Sequence, residues 1–135
     1  MHVNLVFFIL ITTGISLQST AQVRCGAERI DLYLFLLKNK HVAVVANQAS
    51  TIGSVYLVDS LIRREVNVVK VFCPEHGFRD YADAGRPLKN FIDSITRVPI
   101  VSLYNKKKKP DQDDLNDVDL VLFDLQDVGV RFFTY

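Results

Sequence analysis

A carboxylate, an imidazole and a guanidinium fall within seven residues at Cys73-Pro74-Glu75-His76-Gly77-Phe78-Arg79. A turn rarely needs so many ionisable groups. Acid–base catalysis does, because it relies on groups whose pKa values are set by their neighbours. Pro74 and Gly77 fix the backbone around the pair, and Phe72 and Phe78 supply apolar surroundings. Desolvation there would keep the Glu75 carboxyl protonated near neutral pH, the state required of a general acid. His76 is suited to hydrogen-bond a substrate or Glu75, or to act as a second acid–base group. The plainer alternative is a surface ion pair between Glu75 and Arg79.

Asp124, Gln126, Asp127 and Arg131 form a second constellation. A carboxylate at the end of a strand can orient water, ligate a metal or bind sugar hydroxyls. Gly129 allows close backbone approach, and Arg131 could hold an anionic group in bidentate geometry. Helix capping is the alternative for Asp124 and Asp127. Asp83 and Arg86, in Asp83-Ala84-Gly85-Arg86, are further candidates.

These groups need a frame. Glu28 to Lys38 has the spacing of an amphipathic helix, with Ile30, Tyr33, Leu34 and Leu37 on one face. His41 to Ala46 is a β-branched run of the kind buried on both faces of a sheet, and 47–53 reads as a polar loop. Val55, Val58, Leu61 and Ile62 form a second helical stripe, closed by Arg63 and Arg64 where the helix dipole favours positive charge. Val66 to Phe72 is a second strand. A long irregular segment runs from Pro74 to about Arg97. Val98 to Ser102 is a third strand, with Pro99 marking an edge or a strand start. Lys106 to Lys109 reads as a solvated basic loop, Asp111 to Asp117 as a short acidic helix start, and Asp119 to Phe123 as a fourth strand.

Strands alternating with helical patterns predict an α/β fold with a mostly parallel sheet flanked by helices. Right-handed crossovers then bring every strand's carboxyl end to one edge, where such sheets bind ligands. Four loops deliver polar groups there: Asn47 and Gln48, then Glu75 and His76, then Tyr104 and Asn105, then Asp124, Gln126 and Asp127.

Composition narrows the function. The chain has 135 residues, is 49% hydrophobic and carries a formal charge of +1. That balance suits a globular unit and gives no electrostatic case for a nucleic acid or an anionic membrane as partner. There is no glycine-rich phosphate loop after the first strand, no zinc motif and no serine-hydrolase elbow. No cofactor or metal is expected. Residues 1–21 read as a secretory signal peptide: Leu5 to Ile11 is an apolar run too short for a comfortable membrane span, and Ser19-Thr20-Ala21 supplies small residues for cleavage after Ala21. The positive charge ahead of the run is only His2 and the amino terminus, and a buried N-terminal strand or helix is the alternative. The expectation is an exported protein, periplasmic or secreted, without stable membrane insertion after cleavage. Cys25 and Cys73 could form a disulfide in an oxidising compartment or remain free thiols.

Taken together, the blocks Cys73–Arg79, Ala82-Asp83-Ala84-Gly85, Ser102-Leu103-Tyr104 and Phe123–Tyr135 resemble the DUF1343 family, which includes the NamZ-type exo-β-N-acetylmuramidases. Cys25–Arg29 and Val45-Ala46-Asn47-Gln48 are similar to that family's opening. Members often carry Ser or Ala at the position of Cys73 and Gly at that of Asn105. The resemblance implies a glycoside hydrolase of peptidoglycan turnover that releases N-acetylmuramic acid from non-reducing ends, with muramyl saccharides as substrate and Glu75 as the catalytic residue. Arg131 or Arg79 would then suit the lactyl carboxylate. It also implies a Rossmann-like N-terminal domain, here 22–135 and incomplete, with a smaller second domain missing, so that the chain reads as an N-terminal fragment. A glycan-binding module without catalysis, or an inactive remnant, are the competing expectations.

Overall fold

A computed structural model describes residues 23–74, 77–79, 90–104 and 107–125. In chain order, a 3-10 turn at Ala27–Arg29 leads into α1 (Ile30–Leu37), then β1 (Val42–Ala46), β2 (Thr51–Ile52), β3 (Val55–Tyr56) and α2 (Leu57–Arg63). There follow β4 (Val68–Cys73), β5 (Phe91–Ile92), β6 (Pro99–Ser102), α3 (Gln112–Leu115) and β7 (Leu120–Asp124).

β1 is buried along its whole length. A strand with no access to water must satisfy its amides and carbonyls with neighbouring strands. It does so with parallel partners on both sides. Val45 lies opposite Phe72 of β4 and Phe123 of β7, and Ala46 lies opposite Asp124. β6 extends the sheet parallel to β4, with Cys73 opposite Ser102. β5 adds an antiparallel strand, giving the order β5-β6-β4-β1-β7. The fold is therefore α/β with a mixed, mostly parallel five-stranded sheet.

Alternation along the strands divides the core in two. Val42, Val44, Ala46, Val71, Cys73 and Ile100 face α1 and α2, meeting Ile30, Leu37, Leu57, Val58 and Leu61. Ala43, Val45, Phe72, Val101 and Leu103 face the other way and pack with Leu115, Val118 and Leu125. On α1 the inward stripe is the one read from the sequence, Ile30, Tyr33, Leu34 and Leu37. Leu32, Phe35 and Leu36 are exposed on its outer side.

Two local differences from the sequence reading have simple causes. The stretch expected as loop holds a small antiparallel hairpin, Thr51 opposite Tyr56 and Ile52 opposite Val55. Gly53, at φ 59°, leads its two-residue turn, the position where a mirror-image turn demands positive φ. Val55 therefore belongs to β3, and the helix starts at Leu57. The long irregular segment contains β5, too short for any periodicity to register. Pro99 is the first residue of β6 and is covered by β5, so it marks a strand start and not a sheet edge. The acidic helix start is as expected, with Asp111 and Asp114 forming a reciprocal capping box. Lys107 of the basic run bridges Asp111 at 2.7 Å and Asp114 at 2.5 Å, holding that helix start.

Both cysteines are free thiols, Cys25 exposed and Cys73 buried, so the disulfide alternative is not the one realised. No helix among the described residues is long and apolar enough to cross a membrane. Residues 1–21, expected as a signal peptide, lie outside the described residues.

Leu61 is fully buried between α2 and the sheet, whereas Phe35 is 70% exposed. Leu61→Ala should cost about 2–5 kcal/mol of stability, and Phe35→Ala should stay within about 0.5 kcal/mol of the parent. Urea denaturation followed by circular dichroism measures both.

Candidate active site

The parallel strands β1, β4, β6 and β7 stand in the spatial order β6-β4-β1-β7. The chain thus moves outward from β1 to β4 and β6, then returns to β7 on β1's other side. Such a reversal leaves a crevice outside the carboxyl ends of the two strands that flank it, which is where open α/β sheets bind ligands. Here those strands are β1 and β7. The register confirms that the carboxyl ends are level: Ala46 pairs with Asp124, and Cys73 pairs with Ser102.

Asn47 and Gln48 leave β1 at this crevice. Asn47 is buried, and its side-chain carbonyl accepts the Ala49 amide at 2.9 Å. The Asn47 amide donates to the Ser50 hydroxyl at 3.1 Å, and that hydroxyl donates to the Asp124 backbone carbonyl at 2.5 Å. Ser50 therefore stitches the exit of β1 to the end of β7 across the crevice. Its residue type carries no functional signal, and an Asn-x-x-Ser spacing is a turn pattern found in many loops. Gln48 Oε1 is buried without a hydrogen-bond partner in the structure.

Asp124 is the last residue of β7. It lines a cavity of about 310 Å³ with Cys25, Tyr33 and Leu57, on the α1 side of the sheet. Burial pushes its carboxyl above the usual carboxylate range, with the Ser50 hydroxyl opposing in part. Burial also raises the Tyr33 phenol, and the charge of Asp124 adds to that shift. Tyr104 follows β6, half-buried, with its amide donating to the Ser102 hydroxyl at 3.4 Å. β6 lies two strands from β1, on the far side of β4.

Glu75, His76, Asp83, Gln126, Asp127 and Arg131 lie outside the described residues, as does Asn105. The flanks of the first pair are well defined. Pro74 and Gly77 are buried, the Gly77 amide donates to the Pro74 carbonyl at 3.3 Å, and Gly77 takes φ 79°. Pro74 directly follows β4, the strand next to β1.

Arg79 is engaged away from any ligand. Its guanidinium is buried, not a surface ion-pair partner, and makes four hydrogen bonds to two carboxylates. Nε and one terminal nitrogen reach Asp93 at 2.9 and 3.1 Å. The terminal nitrogens reach Asp59 of α2 at 3.1 and 2.5 Å. The same group lies 4.7 Å from the ring centroids of both Tyr56 and Phe78. The expectation that Arg79 contacts substrate thus gives way to an internal role. A guanidinium with four N–H groups committed has little left for a lactyl carboxylate. Burial alone would lower the Arg79 pKa, but its hydrogen bonds to Asp59 and Asp93 outweigh that and raise it. Asp93 also accepts the Thr96 amide at 2.9 Å and the Thr96 hydroxyl at 2.6 Å. Burial would raise its carboxyl, yet these bonds and Arg79 together hold it below the ordinary value. Asp59 and Asp93 escaped the sequence reading because no other charged residue lies within three positions of either. Among the described residues, no group of three or more His, Cys, Asp or Glu side chains could hold a metal ion.

The family profile described as "Exo-beta-N-acetylmuramidase NamZ, N-terminal" matches residues 42–135. The chain belongs to this NamZ N-terminal family. It is 43% identical, over 73% of its length, to a peptidoglycan β-N-acetylmuramidase NamZ of Bacillus subtilis strain 168, of which it covers 24%. Two solved structures of DUF1343 family proteins from Bacteroides fragilis NCTC 9343 share the fold. One is 41% identical, with a TM-score of 0.65 over 82% of this chain and 27% of that one. The other is 34% identical, with a TM-score of 0.66 over 78% and 26%. The chain thus spans about a quarter of the length of these relatives. The family assignment by resemblance stands, and with it membership of a glycosidase-like enzyme family.

The depressed Asp93 carboxyl has a defined pH consequence. Its contribution to stability is complete above the ordinary carboxylate value of about 4 and is lost as pH falls through the lower folded-state value. Asp93→Asn should lower stability at neutral pH by about 3–5 kcal/mol, because Arg79 loses a buried counter-charge. It should also flatten the acid side of the stability profile below about pH 4. Urea midpoints across a pH series test both effects.

Proposed function

We propose that this chain carries the acid–base half of an exo-acting β-N-acetylmuramidase site that releases N-acetylmuramic acid from the non-reducing ends of peptidoglycan fragments. The observation that carries the reading is the position of Cys73–Pro74. Cys73 ends β4 on the carboxyl edge, beside the β1–β7 crevice, and Pro74 follows it, in a chain that belongs to the NamZ N-terminal family. Glu75 follows at once and serves as general acid, giving its proton to the leaving glycosidic oxygen while His76 assists. The name of the Bacillus subtilis relative, a peptidoglycan β-N-acetylmuramidase, supports the same substrate class.

Hydrolysis by this route needs a second carboxylate, as nucleophile or as the base that activates water. Asp124, at the end of β7, and Asp127, three residues on, are the candidates from this chain. Asn47 and Gln48 face sugar hydroxyl or acetamido groups at the exit of β1, and the buried Gln48 Oε1 is an acceptor with no protein donor. Asp83, Tyr104 and Gln126 are the remaining candidates for sugar contacts. Arg131 is the remaining choice for the lactyl carboxylate, since Arg79 is occupied by Asp59 and Asp93. Residues 1–21 direct export, so that the working protein meets peptidoglycan outside the cytoplasm.

Two measurements test this reading. With a muramyl disaccharide, Glu75→Gln should cut release of N-acetylmuramic acid by about 10²–10⁴-fold while binding persists. Near-normal release by the variant refutes the role of Glu75. Binding by the parent with no release at all would favour a glycan-binding module. On expression in a bacterium, the exported protein should begin at Gln22, and an intact Met1 terminus in the culture medium or periplasm would refute the signal peptide.

A further inference from the structure

We propose that the cavity between the 3-10 turn, α1 and the end of β7 is the subsite that takes the N-acetyl group of the muramyl sugar. The identity of the ligand rests on the muramidase reading, and the cavity adds which part of that sugar is recognised and where. Its volume of about 310 Å³ lies at the small end of the range for small-molecule sites, about 300–1,000 Å³. Its lining is of two kinds. Ala27, Leu57 and Leu122 form an apolar wall continuous with the core on the α1 side. Tyr33 and Asp124 supply the polar groups. The Tyr33 hydroxyl donates to the Ala27 carbonyl at 3.2 Å, and burial keeps it in its neutral form. Asp124 is thus the charged acceptor of the cavity. Its carboxyl is partly removed from water, with the Ser50 hydroxyl as partial compensation. A carboxylate so placed gains from any donor that a ligand brings. Among the described residues, no Lys, Arg or His lines the cavity.

An N-acetylmuramyl unit offers three kinds of polar group to such a lining. Its lactyl carboxylate is repelled by Asp124 and finds no cation here. Its ring hydroxyls could satisfy Asp124, but they would set polar groups against the apolar wall. The acetamido group meets both demands. Its N–H is a donor for the Asp124 carboxylate, and its methyl, two bonds from that nitrogen, is matched to Ala27, Leu57 and Leu122. Apolar walls with one well-placed polar group are the usual make-up of a pocket that selects its ligand. The assignment leaves Asn47 and Gln48 to the sugar hydroxyls. It also gives Asp124 to binding, so that Asp127 remains this chain's candidate for the second carboxylate of hydrolysis.

NMR on the whole 135-residue chain, with N-acetylmuramic acid as the probe, supplies the test. In the complex, the acetyl methyl protons should give NOEs to the methyl groups of Leu57 and Leu122. Gly26 lines the cavity in right-handed helical backbone, and a Cβ added there would meet no atom within 4 Å. Gly26→Leu therefore narrows the space without strain. It should weaken binding of the sugar by about tenfold or more and leave the β1 amide signals in place. An analogue with a hydroxyl in place of the acetamido group should bind the parent chain about tenfold or more weakly than the sugar itself. Its affinity should no longer respond to Gly26→Leu. Acetyl NOEs confined to other residues overturn the proposal, and so does an equal loss for both ligands in Gly26→Leu. No binding at millimolar sugar overturns it as well. The NOEs are read on the parent chain, so they decide the matter even where the variant folds poorly. Acetyl NOEs to Leu57 and Leu122 without release of sugar from a muramyl disaccharide would uphold the subsite and refute the glycosidase reading. Release of sugar with the acetyl group lodged elsewhere would do the reverse.

Discussion

Everything in this molecule is arranged around one strand that water cannot reach. β1 is buried on both faces, and its amides and carbonyls find partners in β4, in β7 and, for the Val42 amide, in the Asn67 carbonyl just ahead of β4. Because its neighbours come from different parts of the chain, the path must reverse across it, and a crevice opens at its carboxyl end. Helices on one face and α3 on the other complete the burial. The polar groups at the exits of β1 and β7 are therefore consequences of topology before they are matters of chemistry. Ser50, bridging from the Asn47 amide to the Asp124 carbonyl, holds the two lips of the crevice together.

Burial acts on the carboxylates here in opposite directions, depending on what accompanies it. Asp93 is the more deeply buried, yet its acidity is strengthened, because four hydrogen bonds from Arg79 and Thr96 replace the lost water. Asp124 keeps little compensation, and desolvation prevails. One group is thus held more firmly as an anion inside a scaffold, and the other, lining a cavity, is left easier to protonate. The first arrangement suits a fixed part and the second a working one.

Much of the frame was legible because strong local patterns coincide with tertiary demands. The run at 41–46 has no polar residue beyond His41, so only a doubly buried strand fits it. The α1 stripe recurs at helical spacing, and Asp111 announces a helix start through its capping box. The sheet order was not legible, since nothing local distinguishes the two sides of β1. β5 and the β2–β3 hairpin are two residues per strand, too short for a period to emerge. At the candidate site the sequence offers residue types but not their partnerships. Arg79 looked like a ligand-binding cation because its counter-ions, Asp59 and Asp93, stand 20 and 14 positions away. A charge that is satisfied over such separations looks, along the chain, like a charge that is free.

Cys73 carries a consequence of a different kind. It closes β4 one residue before Pro74, fully buried, and both burial and the nearby Asp93 keep its sulfur in the protonated, unreactive form. Cys25 is exposed on the same chain. Thiolates, not thiols, attack electrophiles, so the folded molecule presents one sulfur to reagents and withholds the other until β4 parts from its neighbours. The pair is a native gauge of breathing at the strand that precedes Glu75 and His76 in the chain, with the reference signal and the reporter built into one polypeptide.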